Sequence, residues 1–183
     1  MSERVADAAA KAVDRVKEFA DLALSGAHEP RNRVPDYLWH LREANREFAE
    51  VCRSLKRVHF EEHELVEGLE MLARLTHDAR HDLTRFVDRY GEQRSSEVEQ
   101  LRSALFPRSR AGPFGALRDL HSLLVMATDI HVAITVSIQA AMGLRDDELL
   151  AALRHMAEQN KRQQAWLTTQ IKHRAVQTIV VPS

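Results

Sequence analysis

Apolar residues recur at helical spacing along almost the whole chain, and Gly and Pro interrupt that pattern at only a few places. The pattern is densest from Leu117 to Leu144, where apolar side chains occupy nearly every face of a helix. A helix that is apolar all round is buried, so this segment predicts a central helix with neighbours on both flanks. The run approaches the roughly 20 apolar residues that cross a bilayer. Because Asp129, His121 and His131 lie within it, we expect the core helix of a soluble bundle and no membrane span.

Narrower apolar stripes predict further helices on both sides of the central one. Residues 2–24 form an amphipathic pattern that ends at Gly26, and residues 36–90 continue a helical pattern for more than fifty positions. That length is too great for one helix in a compact domain, so we expect a break between Ser54 and Glu62. A last helix follows the acidic group at 146–148, where negative charge suits the helix dipole.

The segment over residues 91–113 predicts a long connection that contains a short helix near 95–105. Connections of this length are uncommon between adjacent antiparallel helices, so we expect this one to cross the bundle and join parallel neighbours. The predicted organisation is all-α, with an N-terminal helix and loop over 1–34, a helical bundle domain over 35–178 and a short tail over 179–183.

Charge and cysteine content limit the kinds of partner, the use of disulfides and the cellular location that the sequence predicts. The chain has 26 basic and 27 acidic side chains, so there is no excess positive field to attract nucleic acid, and we expect no strong DNA binding. Cys52 is the only cysteine, which excludes an internal disulfide framework. Charges at Glu3, Arg4 and Asp7 occupy the place where a secretory signal needs an apolar core, so a cytoplasmic location is predicted.

Histidines and carboxylates are concentrated in residues 59–82, and the ones of interest are His59, Glu62, His63, His77, Asp78, His81 and Asp82. His59 with His63, and the later pair of histidines, are four residues apart, which points two imidazoles the same way from one helix. Both pairs face away from the apolar stripe on a helical wheel. Two interpretations stay open: a solvated charged face, or a metal site covered by a second chain that contacts the apolar Phe60 and Met71 beside it.

The segment HFEEHELVEGLEMLARLTHDARHDLTRFVDRYG resembles the second helix of the mini-ferritins, the ferritin-like family of DNA-binding proteins from starved cells. In that family a histidine, an aspartate and a glutamate at this spacing supply an iron site shared between two subunits. The matching positions are His63, Asp78 and Asp82. Asp82 stands where the family has glutamate, and the family's earlier histidine ligand falls near 51–52, so His81 and His59 are the candidate replacements.

The resemblance implies a ferritin-like antiparallel four-helix bundle with an extra N-terminal helix, assembled into a homo-oligomer. It also implies iron as the bound metal, with ferroxidase activity, iron storage or protection against oxidative stress at the site between subunits. The alternative function is a metal-free helical bundle that serves assembly or binds a protein partner. A third interpretation uses Asp129 and His131 as a buried acid and base. Self-association is expected through the face that carries Phe60, His63 and Met71.

Overall fold

The computed structural model describes residues 33–91, 96–107 and 111–180, and the predicted N-terminal helix lies outside them. Within these residues the chain is all-helical, as predicted, and has no strand. The helices are α1 Val34–Val58, α2 His63–Tyr90, α3 Glu97–Leu105, α4 Gly112–Leu144 and α5 Asp147–Ala175, and a π-helical turn Val176–Val180 continues α5. The predicted boundaries of the helical bundle domain, between residues 34 and 35 and between residues 178 and 179, stay a prediction.

The break expected in the long helical pattern is confirmed. α1 ends at Val58 and α2 begins at His63, which places the break inside the predicted segment. The two backbone hydrogen bonds of this turn run from His59 N to Leu55 O at 2.9 Å and from Glu62 N to His59 O at 3.0 Å. The turn allows α1 and α2 to pack side by side as an antiparallel hairpin.

α4 and α5 form a second antiparallel hairpin, and contacts between α1 and α4 and between α2 and α5 join the two hairpins. His40, near the start of α1, contacts Asp129, whereas His59, just after the end of α1, contacts Asp119, which comes earlier in α4. The two helices are therefore antiparallel. Gln170 lies near Glu64, while Glu148 lies near Arg89, so α2 and α5 are antiparallel as well. Every contacting pair of long helices in the described part of the chain is therefore antiparallel.

The predicted crossover is observed, with one correction. A short helix lies within it, at Glu97–Leu105, and α3 is held to α1 by an ion pair of 2.8 Å between Arg102 Nη1 and Glu47 Oε2. α2 and α4 run parallel, as expected, because each is antiparallel to α1. They are not neighbours, however, since no contact between α2 and α4 is found among the described residues. The crossover therefore joins helices on a diagonal of the bundle.

α2 and α5 approach closely at Gly68. A Cβ atom built at this glycine would lie 1.8 Å from Cζ2 of Trp166, so the indole ring occupies the space that any other side chain would need. Gly68 is thus the residue that lets α5 pack its one tryptophan against the backbone of α2.

The start of α5 is fixed by a group of polar contacts to the end of α2. Asp146 accepts a hydrogen bond of 2.9 Å from Leu149 N, which caps the helix, and one of 2.7 Å from Tyr90 Oη. Arg89 lies 3.3 Å from Asp146 Oδ2 and 2.7 Å from Glu148 Oε2. The Leu149 amide and then the Tyr90 hydroxyl hold the pKa of Asp146 below its ordinary value, so this cap stays ionised at neutral pH.

Within the described residues α4 packs against α1 and α5, while its face at Val125, Val132 and Val136 is exposed, so the expected neighbour on that face is not found among them. α4 begins at Gly112, five positions before the predicted start, and its buried face includes Leu123, Ile130 and Ile134. The opposite face carries Val125, which is exposed along with several further side chains considered below. α4 is long and apolar enough to cross a bilayer by length and composition, and 39% of its most apolar window is buried.

Candidate functional site

The predicted metal ligands do not come together within one chain. His63 is the first residue of α2, whereas Asp78 lies fifteen positions further on, a rise of roughly 22 Å along a helix. Both side chains are exposed, as the wheel predicted. In the part of the chain that the structure describes, no group of three or more His, Cys, Asp or Glu residues has a geometry that could hold a metal ion. A site using His63 with Asp78 and Asp82 therefore needs a second chain.

Asp78, His81 and Asp82 do share one region of α2, and α5 adds a histidine that the sequence did not single out. His155 Nδ1 lies 3.8 Å from Asp82 Oδ2, with both side chains about half exposed. No local pattern marks His155, because its relation to α2 depends on how the two hairpins dock. Carboxylate and imidazole donors suit iron and zinc, so one chain supplies part of a ligand set here.

His59 is not part of this group, and its predicted placement is wrong. The i,i+4 pairing with His63 fails because His59 lies in the turn between α1 and α2 instead of on one helix with it. Its imidazole points into the bundle, where Nε2 lies 2.9 Å from Asp119 Oδ2, and the two side chains are only 2% and 3% exposed. This buried contact between a histidine and a carboxylate holds the turn after α1 against α4.

Asp129 and His131 likewise do not act as a pair. Asp129 Oδ2 lies 3.0 Å from Nε2 of His40 on α1, with side-chain exposures of 36% and 19% for the aspartate and the histidine. His131 Nδ1 is buried without a hydrogen-bond partner. Two contacts of the same chemical kind, His40 with Asp129 and His59 with Asp119, therefore hold α1 and α4 together at two levels.

The interior of the bundle contains an amide network between the hairpins. Gln163 Nε2 donates a hydrogen bond of 2.9 Å to Thr76 Oγ1, and Asn160 Nδ2 donates one of 3.0 Å to the carbonyl of Ala127. Gln164 Nε2 donates to Asn160 Oδ1 at 2.6 Å. A metal centre inside a helical bundle uses carboxylates and histidines, and this layer supplies neutral amides and a hydroxyl instead. The donor set of this layer does not fit iron.

The most extensive exposed apolar feature among the described residues runs along α4. Twelve positions of α4 lie within about 60° of Val132 on the helical wheel, and all except the buried Leu117 and the half-buried Asp129 are exposed; the stripe leaves out Leu117. We call this face the α4 stripe, and its members are Phe114, Arg118, His121, Val125, Thr128, Asp129, Val132, Thr135, Val136, Gln139 and Gly143. Leu101 of α3 and Leu124 flank a shallow groove of about 430 Å³ beside its first half.

A second exposed apolar group lies at one end of the bundle. Phe60, in the turn between α1 and α2, is 67% exposed, and Ile179 in the π-helical turn is 68% exposed. The ion pair between Arg174 and Glu62 places the end of α5 beside that turn. Phe60 and His63 are exposed as the predicted interface requires, but Met71 packs partly against the core, so that face is less apolar than expected.

Comparison with known proteins gives no relative: no family matches the sequence, and no curated protein or solved structure matches it.

Proposed function

We propose that this protein works by binding another protein chain, and that the α4 stripe is the surface it uses. The observation that carries the proposal is Val132, at the centre of the stripe, whose side chain is 56% exposed. Apolar side chains continue the same face at Val125, two turns before Val132, and at Val136, one turn after it. Exposed apolar side chains grouped on one helix face of a bundle are typical of an interaction surface. The proposed function is that of a metal-free assembly or partner-binding protein. On the grounds of its sequence, we propose that it is located in the cytoplasm.

The packing also supports a ferritin-like arrangement for the bundle, which is part of the proposal. Two antiparallel hairpins are joined by a crossover that links diagonal helices α2 and α4, and α3 lies within that crossover. One long crossover with antiparallel neighbours is the connection that ferritin-like bundles use. The amide layer at Asn160 and Gln163 supports a member of this architecture that has no metal centre in its interior.

Photo-crosslinking in cells tests the proposed surface. A benzophenone amino acid in place of Val132 is expected to give a covalent adduct with a protein on irradiation, because the side chain lies in the interface. The same amino acid in place of Glu158, which is exposed on α5, provides the matched control and is expected to give no comparable adduct. Absence of a protein adduct at position 132, or equal adducts at both positions, contradicts the proposed function.

A divalent metal site is the second candidate function, and the approach of His155 to Asp82 favours it. Asp78, His81 and Asp82 lie on neighbouring turns of α2, and His155 approaches Asp82 from α5. His63 of a second chain would complete the shared iron site that the mini-ferritin resemblance implies. The donors are hard carboxylates with imidazole, which suits Fe(II) and, less selectively, Zn(II).

Replacing Asp78 with alanine is expected to weaken Fe(II) or Zn(II) binding more than replacing His121, because Asp78 lies three residues before His81 and four before Asp82. His121 lies on α4 with no such neighbours. Titration calorimetry on both variants measures the difference. If Asp78 is only a solvated charge, its removal changes stability by no more than about 0.5 kcal/mol and leaves metal binding unchanged. Equal affinities, or no binding by the parent protein, removes the metal site.

A further inference from the structure

The side chains of the α4 stripe repeat with the spacing of a helix–helix seam. Val125, Val132 and Gln139 are seven residues apart, and Thr128 and Thr135 fall three residues after the two valines. Positions that alternate by three and four residues form the line along which two helices pack in a coiled coil. Four of these five side chains, the two valines and the two threonines, are β-branched and short, so the backbone of that helix can come close. The seam is therefore shaped for a single helix and not for a broad surface.

The charge along the seam excludes several kinds of partner. Asp129 is the only formally charged residue between 120 and 144, and its carboxylate already lies 3.0 Å from His40 Nε2. A helix that lies on a lipid surface carries several Lys or Arg residues beside its apolar face together with Trp or Phe; the stripe has one of each, Arg118 and Phe114, and residues 120–144 contain none. A highly charged partner helix would also leave its charges unmatched. The stripe fits a neutral helix with small apolar side chains, and α4 itself has that composition.

The stripe has a basic residue near its start and a net acidic turn after its end. Arg118 is exposed on the stripe fourteen residues before Val132, and the turn after α4 carries the exposed Arg145 followed by the exposed Asp147 and Glu148 at the start of α5. If two copies of α4 lie antiparallel and cross at Val132, each Arg118 comes level with this net acidic turn of the other copy. A parallel pair would instead place Arg118 beside Arg118. Complementary charge at the ends thus selects the antiparallel orientation.

We propose that α4 packs antiparallel against α4 of a second copy of this chain, about a two-fold axis that passes close to Val132. This inference rests on the proposed function and names its partner. From Arg118 to Gly143 the stripe is about 38 Å long and roughly 10 Å wide, a footprint of roughly 380 Å² on each copy. That area is below the ~800 Å² per partner of a stable standard interface. The dimer is accordingly expected to be weak and reversible.

Sedimentation velocity on the full chain from low to high micromolar concentration tests the dimer. The parent is expected to shift from monomer to dimer, and Val132→Glu to stay monomeric, because the substitution places two carboxylates together on the axis. Val176→Glu, which changes an exposed apolar residue outside the stripe, is the matched control and is expected to associate like the parent. Circular dichroism confirms that both variants fold. A monomeric parent at every concentration, or association of Val132→Glu equal to the parent, overturns the proposal.

Disulfide trapping tests the axis and the orientation. Val132→Cys is expected to crosslink to its own copy under mild oxidation, because both copies of the residue lie on the axis. Met142→Cys is ten positions away and is expected not to crosslink, since its copy lies roughly 30 Å distant in the antiparallel pair. The native Cys52 is fully buried, and burial raises the pKa of its thiol, so it does not compete. Crosslinking of both variants, or of Met142→Cys alone, overturns the antiparallel arrangement.

Charge reversal at the ends provides an independent check on the same pair. Arg118→Asp and Asp147→Arg are each expected to weaken the dimer several-fold, and the double variant to restore the parent affinity. If the double variant binds no better than either single variant, the two residues do not meet and the proposed register is wrong. One outcome separates this inference from the proposed function. If position 132 gives an adduct of heterodimer mass in cells and the purified chain is monomeric, the partner is not a second copy of this chain, but the proposed function stands.

Discussion

Replacing His59 with alanine is expected to destabilise the protein by about 3 kcal/mol, because the change leaves the Asp119 carboxylate buried without its imidazole partner. The two side chains are 2% and 3% exposed, so water cannot replace the lost contact without opening the bundle. Urea denaturation followed by circular dichroism measures the loss.

The second pair between α1 and α4 supplies the matched control. His40 lies 3.0 Å from Asp129, but the two side chains are 19% and 36% exposed, so His40→Ala is expected to cost less than about 1 kcal/mol. A double-mutant cycle on His59 and Asp119 should show a loss well below the sum of the two single losses. Equal costs for His59→Ala and His40→Ala would mean that burial does not determine the strength of these contacts.

Gly68→Ala is expected to destabilise the protein by about 1 kcal/mol, although alanine is the better helix former. The added Cβ would lie 1.8 Å from Trp166 Cζ2, so the indole must leave its place against α2. Overpacking of this kind costs roughly 1–3 kcal/mol, while the gain in helix propensity is about 1 kcal/mol. Urea denaturation gives the free energy, and the fluorescence emission of the folded variant should shift as the ring moves.

Gly143→Ala provides the comparison for this prediction. Gly143 lies in α4, and a Cβ built there meets nothing within 4 Å. Here the gain in helix propensity is unopposed, and the variant is expected to be more stable by up to about 1 kcal/mol. If Gly68→Ala is also stabilising, the close approach of α5 to α2 is not as the structure describes it.

The helices themselves could be predicted from the sequence, since they depend on local patterns. The break before His63 follows from the limit on helix length, and the short helix at Glu97–Leu105 follows from the change in pattern after Gly91. The position of α4 in the bundle could not be predicted in the same way. Its composition indicates burial on all sides, but whether another element covers Val132 depends on how many helices the bundle supplies, which is a tertiary property.

The candidate site shows the same limit. Spacing correctly placed Asp78 and His81 on one exposed face of α2, because both lie within one continuous helix. The sequence placed His59 wrongly, because the helical wheel treated it as part of α2, whereas α2 begins at His63. His155 could not be found from spacing at all, because its approach to Asp82 is set by the docking of the two hairpins. Sequence periodicity describes one helix at a time and carries no information about the relation between helices.

The diagonal crossover divides this bundle into two hairpins. Contacts within a hairpin and contacts between the hairpins differ in the length of chain that they close. Within each hairpin the helices are joined by a few residues, so the pairing of α1 with α2 and of α4 with α5 closes short loops. The contacts between hairpins instead join residues far apart along the chain, such as His59 with Asp119 and Glu62 with Arg174. We therefore expect each hairpin to assemble early as a local unit and the docking of the two hairpins to be the slower step of folding.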